Sequence, residues 1–304
     1  MAKTEVIGVD VGNGLTKTAT TEFVSSVRDF GETKPALTEK LVMFEGKYYV
    51  VGGDRGKTKT DQKKDETSLI LCLAGIGEEL NKRGIGDTDL VLSEGLPLER
   101  CFQENRIADE KYYRKGETLY FEYEDIPHTI NIKDVLVNPQ CVSGVVDLLA
   151  EGTLQDPCIV VDIGSWTVDI LPIEGGHPQG AKVKSALEGI IKCLLRCNDE
   201  IRRRTGNEVL EIQIQKIMMG DTTILPPEYS KICVDEIKKY IKNIKDTLME
   251  NSFNVNTLPV VFMGGGAIVI KNYGKEYFPF AKYITDIHAN AIGYEKIANQ
   301  KMSA

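Results

Sequence analysis

Two segments share one design: IGVDVGNGLT from Ile7 to Thr16 and VVDIGSWTVD from Val160 to Asp169. Each has an apolar β-branched run, then Asp-x-Gly, then small or hydroxylic residues and a second apolar stretch. The pattern predicts two tight β-hairpins. The turn glycines let the backbone approach a ligand and adopt positive φ, while the N–H groups at the tip point at an anion. Asp10 and Asp162 at the mouths would repel a bare phosphate, and a cation between carboxylate and phosphate removes that repulsion. The chemistry expected is that of a Mg2+-nucleotide held between two related domains.

Each hairpin needs a domain behind it, and 304 residues with 42% hydrophobic content are enough for two. The formal charge of −8 disfavours nonspecific binding to nucleic acid or anionic lipid, because a phosphate surface repels the chain at long range. Any link to DNA is therefore expected to run through another protein. The cysteines number seven and include no C-x-x-C pair, which predicts a reducing compartment; Cys193 and Cys197 read as core. The apolar run before Asp10 is too short for a signal peptide, and no stretch reaches the roughly 20 residues that span a bilayer, so the expected location is cytoplasmic. His128, His177 and His288 fall in no constellation and are assigned structural or solvent roles.

Along the chain, LVMFEGKYYVV predicts a hairpin turning at Glu45-Gly46, and Asp54 to Glu66 a charged loop. Leu69, Leu73, Ile76 and Leu80 recur at helical spacing, predicting a helix over Thr67 to Arg83 that ends at Gly84 and Gly86. DLVLSEGLPL reads as a buried strand breaking at Gly95 and Pro97, and Tyr112 to Ile132 as antiparallel strands leading into DVLVNPQ. Val142, Val145, Val146 and Leu149 mark a helix crossing to the second half, with the junction at Gly152 to Pro157. Beyond the second hairpin, Ala186 to Thr205 reads as a helix with Ile190, Leu194 and Ile201 inward. Lys231 to Glu250 is the clearest amphipathic helix, with Ile237, Ile241, Ile244 and Leu248 on one stripe and lysines opposite. The strand PVVFMGGGA follows, and a last helix begins near Ala289.

This order resembles the actin-like ATPase superfamily, and within it the ParM-type plasmid-segregation actins. Five segments stand in the family's order: DVGNGLTK (phosphate-1), VNPQCVSGVVDLLAEG (connect-1), VVDIGSWTVDI (phosphate-2), VVFMGGGA (adenosine) and HANAIGYEKIA (connect-2). The short length and the phrases VLSEGLPLERCF and INIKDVLVNPQ are similar to ParM-type chains. The resemblance implies an α/β, ribonuclease H-like fold of two related domains with a nucleotide cleft between them. Domain I would span 1–156, with a small subdomain at about 20–66, and domain II 157–285, with a helical subdomain at about 186–258; 286–304 would form a C-terminal helix returning to domain I.

Site roles follow from the same resemblance. Asp10 and Asp162 match the aspartates that hold Mg2+, largely through its waters. Gly12, Asn13, Gly14, Leu15 and Thr16 would face the phosphates, with Lys17 as a point charge beside them or, alternatively, a surface lysine closing the strand. Gly164, Ser165, Trp166 and Thr167 would embrace the other side, although Trp166 replaces the small residue usual there. Gln140 is placed at the hydrolytic step; a neutral amide is no strong base, so it would orient the attacking water, and the alternative is a plain helix cap. Asp169 would help to hold that water. Gly264, Gly265 and Gly266 match the adenosine loop, Gly189 a second nucleoside contact, and Lys238 the base edge.

The resemblance thus implies an ATPase that uses Mg2+ and ATP, with GTP left open. It would form filaments, release them after hydrolysis and move plasmid DNA through a basic DNA-bound adaptor, with no direct nucleic-acid or membrane contact. Two alternatives are a small-molecule kinase of the same fold, acting on a sugar or carboxylate, and a non-polymerising nucleotide-gated binding protein. The cluster Lys57, Lys59, Lys63 and Lys64, neutralised by Asp54, Asp61, Asp65 and Glu66, reads as solvated or as a protomer contact.

Overall fold

A computed structural model describes residues 4–53, 66–101, 112–154 and 156–303. The contacts divide the chain into two compact units, 1–147 with 288–304, and 148–287. The expected lysine cluster from Lys57 to Lys64 lies outside the described residues.

Among the described residues the first unit is built on a nine-stranded sheet in the order β3-β2-β1-β7-β9-β8-β5-β6-β4. In chain order these are β1 (Glu5–Val11), β2 (Leu15–Lys17), β3 (Glu22–Val24), β4 (Val27–Asp29), β5 (Leu41–Phe44), β6 (Lys47–Val51), β7 (Thr88–Leu96), β8 (Thr118–Tyr123) and β9 (Ile126–Pro139). Its centre, β1-β7-β9, is parallel. Such a centre must be covered on both faces. The Glu66–Arg83 helix covers one, burying Ile70, Leu73, Ile76 and Leu80, each worth about 1.5–3 kcal/mol when fully removed from water. The Ala289–Ser303 helix covers the other, and glycines permit the approach: a Cβ on Gly8 would come within 2.2 Å of Ala291 O, and one on Gly95 within 1.8 Å of the Tyr294 hydroxyl.

Gly95 was expected to break its strand. Instead β7 runs through it to Leu96, in register with Asn138 and Pro139 of β9. Its lack of a side chain clears space for the Tyr294 ring. The helix expected after Pro139 is also shorter than its apolar spacing implies. A 3-10 turn at Ser143–Val145 leads into an α-helix of only five residues, Val146–Ala150. Gly144 weakens this stretch, and Gly152, at φ 63°, follows its end.

The second unit carries a six-stranded sheet with the path β12-β11-β10-β14-β15 and β13 paired to β11. Its strands are β10 (Cys158–Ile163), β11 (Val168–Glu174), β12 (His177–Pro178), β13 (Lys184–Ala186), β14 (Val260–Met263) and β15 (Ala281–Tyr283). The Ile190–Thr205, Glu211–Met218, Pro227–Glu250 and Ala267–Tyr273 helices accompany it. Pro227 opens the longest at the first helical position, where its missing N–H costs nothing. The stripe Ile237, Ile241, Ile244 and Leu248 is buried in one core with Cys193, Leu194, Cys197 and Ile201. The helix expected from Ala186 starts at Ile190, because Ala186 pairs with Val168 in the sheet and Gly189 remains extended.

Among the described residues no helix is long and apolar enough to cross a membrane.

Candidate functional site

In the first unit, β1 and β2 form the expected hairpin, with Asp10 opposite Lys17 and Val11 opposite Thr16. The turn is tight. Gly12 N–H donates to Asp10 O at 3.0 Å and to Leu15 O at 3.1 Å, and a Cβ on Gly12 would approach Leu15 O to 2.8 Å. Asn13 at the tip is exposed, whereas Gly14 and Thr16 are buried. Thr16 Oγ1 lies 2.9 Å from Ser25 Oγ.

Around Asp10 the structure brings together three of the candidate residues. The carboxylate is buried; its Oδ2 accepts from Lys17 Nζ at 2.9 Å and its Oδ1 from Gln140 Nε2 at 2.9 Å. Gln140 reaches it from the end of β9, where its own N–H donates to Leu96 O at 2.9 Å. The Lys17 ammonium is thus ion-paired, and the Gln140 side chain is held on Asp10.

Behind the hairpin, the turn from Thr18 to Thr21 is clasped by Glu79 of the Glu66–Arg83 helix. Glu79 Oε1 accepts from Thr18 Oγ1 at 2.5 Å, Thr20 N–H at 2.9 Å and Thr20 Oγ1 at 2.8 Å. Burial alone would raise this carboxyl, but the Thr18 and Thr20 hydrogen bonds and the Arg83 charge hold it below the usual carboxylate range. Arg83 continues the chain of contacts, bonding Glu295 Oε1 at 2.8 Å, which in turn accepts from Gly8 N–H at 3.1 Å. His288 Nδ1 lies 2.9 Å from Thr18 O. The strand, the turn and the C-terminal helix thus share one polar clamp. Composition and spacing do not announce it; the only local signal is the i, i+4 pair Glu79 and Arg83.

In the second unit, β10 and β11 pair from Cys158↔Ile173 to Ile163↔Val168, so Asp162 stands directly opposite Asp169. Residues directly opposite in an antiparallel pair project from the same face, with Cβ atoms about 4.5–5.5 Å apart. Thr167 Oγ1 donates to Asp169 Oδ2 at 3.1 Å. The turn closes with Gly164 N–H on Thr167 O at 2.9 Å. It is seated on the start of the Ile190–Thr205 helix: Gly189 N–H donates to Trp166 O, Ile190 N–H to Gly164 O and Ile191 N–H to Ser165 O. Gly189 has a reason of its own to be glycine, since a Cβ there would come within 2.3 Å of the Trp166 carbonyl carbon and 2.4 Å of Ser165 O.

The three glycines after β14 divide by role. Gly264, at φ 79°, lies so close to β10 that a Cβ would meet Asp162 Oδ1 at 2.1 Å, and a Cβ on Gly266 would meet the Ile163 side chain at 2.1 Å. Gly265 is exposed and has nothing within 4 Å of its missing Cβ. Lys238 is exposed as well, with its Nζ 4.0 Å from Glu276 Oε1.

Each unit by itself offers a carboxylate beside a glycine-bounded turn, Asp10 in the first and Asp162 in the second, and carboxylate oxygens of this kind fit a hydrated Mg2+, which keeps most of its waters. Among the described residues no group of three or more His, Cys, Asp or Glu gathers to form an all-protein cage.

Residues 8–142 match the family model of the N-terminal domain of actin-like proteins. The fold is that of the actin-like proteins. Over 99% of this chain and 100% of the other, it superposes on an archaeal actin homolog solved with ADP, with TM-score 0.74 at 22% identity. The Bacillus thuringiensis ParM solved with AMPPNP matches with TM-score 0.72 at 16% identity, covering 98% of this chain and 99% of that one. The filament structure of Alp12 matches with TM-score 0.70 at 15% identity, covering 98% of each. No curated protein matches the sequence significantly. The resemblance to the actin-like superfamily, with ParM proteins among its structural neighbours, is borne out.

Proposed function

We propose that this actin-like chain is an ATPase that binds Mg2+-ATP through its two Asp-x-Gly loops, assembles into filaments with nucleotide and disassembles after hydrolysis. The observation that carries the reading is the cluster at Asp10, where the Lys17 ammonium and the Gln140 amide each engage one carboxylate oxygen. Asp10 and Asp162 would hold Mg2+, which neutralises phosphate charge when bound. Gly12 to Thr16, with Lys17, would cradle phosphate oxygens through backbone N–H groups and one point charge, and Gly164 to Thr167 would do so from the second loop. Gln140, with its amide nitrogen on Asp10, has its carbonyl oxygen available to orient a water, and Asp169 would assist. Gly265 would lie against the nucleoside, next to Gly264 and Gly266; Gly189 and Lys238 are assigned to the nucleoside and base edge. ADP in the archaeal homolog and AMPPNP in ParM support an adenine nucleotide.

A kinase would need a base aimed at a substrate hydroxyl, and an amide at position 140 is not one. The Alp12 filament and the ParM neighbours favour polymerisation, and with it plasmid segregation through a DNA-bound adaptor. Light scattering and pelleting of the pure protein test this directly. Scattering should rise on addition of Mg2+-ATP and decay as phosphate is released; a chain that hydrolyses ATP yet stays monomeric at every concentration tried would overturn the filament reading.

A further inference from the structure

The turn that carries Gln140 is held in a conformation its residue types do not favour. Cys141 sits at φ 68°, in the left-handed region that residues bearing a Cβ rarely adopt. Its N–H donates to Asn290 Oδ1 at 3.0 Å, across 149 positions of sequence. Asn290 is buried, the second residue of the Ala289–Ser303 helix. Gly293, one helical turn on, lets that helix lie directly on the same segment: a Cβ there would come within 1.9 Å of Ser143 O. Gln140 N–H is fixed to Leu96 O at 2.9 Å, and Ser143 Oγ donates to Pro139 O at 2.9 Å. The backbone on both sides of Gln140 is thus over-determined, the condition under which strained residues persist at functional sites.

We propose that Asn290 is a positioning residue for Gln140. By accepting the Cys141 N–H it stabilises the left-handed turn and so aims the Gln140 amide at Asp10. This rests on the proposed water-orienting role of Gln140. Without the Asn290 oxygen the turn loses a restraint on its strained residue, and the Gln140 amide spends less of its time at Asp10, at a cost to the hydrolytic step and not to ground-state binding.

The experiment measures single-turnover phosphate release and calorimetric affinity for AMPPNP in the full chain. Asn290→Ala should slow phosphate release about tenfold and leave AMPPNP affinity within about twofold. Asn290→Asp, which keeps an acceptor oxygen in place, should stay within about threefold of the unmodified rate. Combined with Gln140→Ala, Asn290→Ala should add no further loss, because both act through one group. A folded Asn290→Ala protein that hydrolyses at the unmodified rate while Gln140→Ala is slow, or an additive double variant, overturns the positioning role alone. Normal hydrolysis by Gln140→Ala overturns the reading on which it rests. Should Asn290→Ala fail to fold, Asn290→Ser, whose hydroxyl is too short to reach the Cys141 N–H, is read with the same outcomes.

Discussion

A buried carboxylate whose two oxygens accept from different side chains is a junction, and Asp10 occupies that place between Lys17 and Gln140. Removing it strips a partly buried ammonium and a partly buried amide of a partner at the same time as it removes the proposed metal ligand. Asp10→Ala should therefore abolish Mg2+-ATP binding, and Asp162→Ala should weaken it strongly; calorimetry showing unchanged affinity in both would remove the metal assignment. Gln140 is the opposite case. Its proposed role is to orient the attacking water, so Gln140→Ala should bind nucleotide normally yet hydrolyse it about 10²-fold more slowly. If the chain polymerises as proposed, filaments of this variant should outlast those of the unmodified chain, and equal phosphate-release rates within filaments would exclude Gln140 from the mechanism.

The glycines of the site show how elements, more than single residues, shape it. Gly189→Ala would drive a Cβ into the backbone of Trp166 and Ser165, which cannot swing aside, so the Gly164–Thr167 turn must shift. A stability loss of about 1–3 kcal/mol and at least a tenfold loss of nucleotide affinity are expected. Gly265→Ala meets no protein atom within 4 Å. It should melt at the unmodified temperature and still bind nucleotide more weakly, because only the nucleoside would contact the new methyl; unchanged affinity would take the adenosine role from this glycine. Both hairpins were legible in the sequence because an Asp-x-Gly turn between apolar runs is a local signal. So was the Glu66–Arg83 helix, from its spacing. Gly95 was misread because a glycine that admits Tyr294 looks, in one dimension, like a glycine that ends a strand. The two-residue β12, the three-residue β13 and β15 and the eight-residue Glu211–Met218 helix are too short to carry a period. The Asn290 contact to Cys141 has no local signature at all, since its partners are 149 positions apart.

At the scale of the whole molecule, charge constrains what the chain can touch. The chain carries 45 acidic against 37 basic residues, and in two helices with five basic residues each many of those charges stand beside acidic partners. On Pro227–Glu250, Lys231 pairs with Asp235, Lys239 with Glu236 and Lys238 with Glu276. The arginines ending Ile190–Thr205 are similarly matched, Arg203 and Arg204 by Glu200 and Arg202 by Glu208. Basic groups compensated within a few ångströms release few counterions from a phosphate backbone, and counterion release supplies most nonspecific DNA affinity. The purified protein alone should therefore bind arbitrary duplex DNA very weakly. Binding should appear when a basic, DNA-bound adaptor is added, captured by charge complementarity and apolar contacts. A gel shift in which the chain alone bound duplex DNA with sub-micromolar affinity at about 150 mM salt, with the steep salt dependence of phosphate contacts, would show that it reaches DNA without an adaptor.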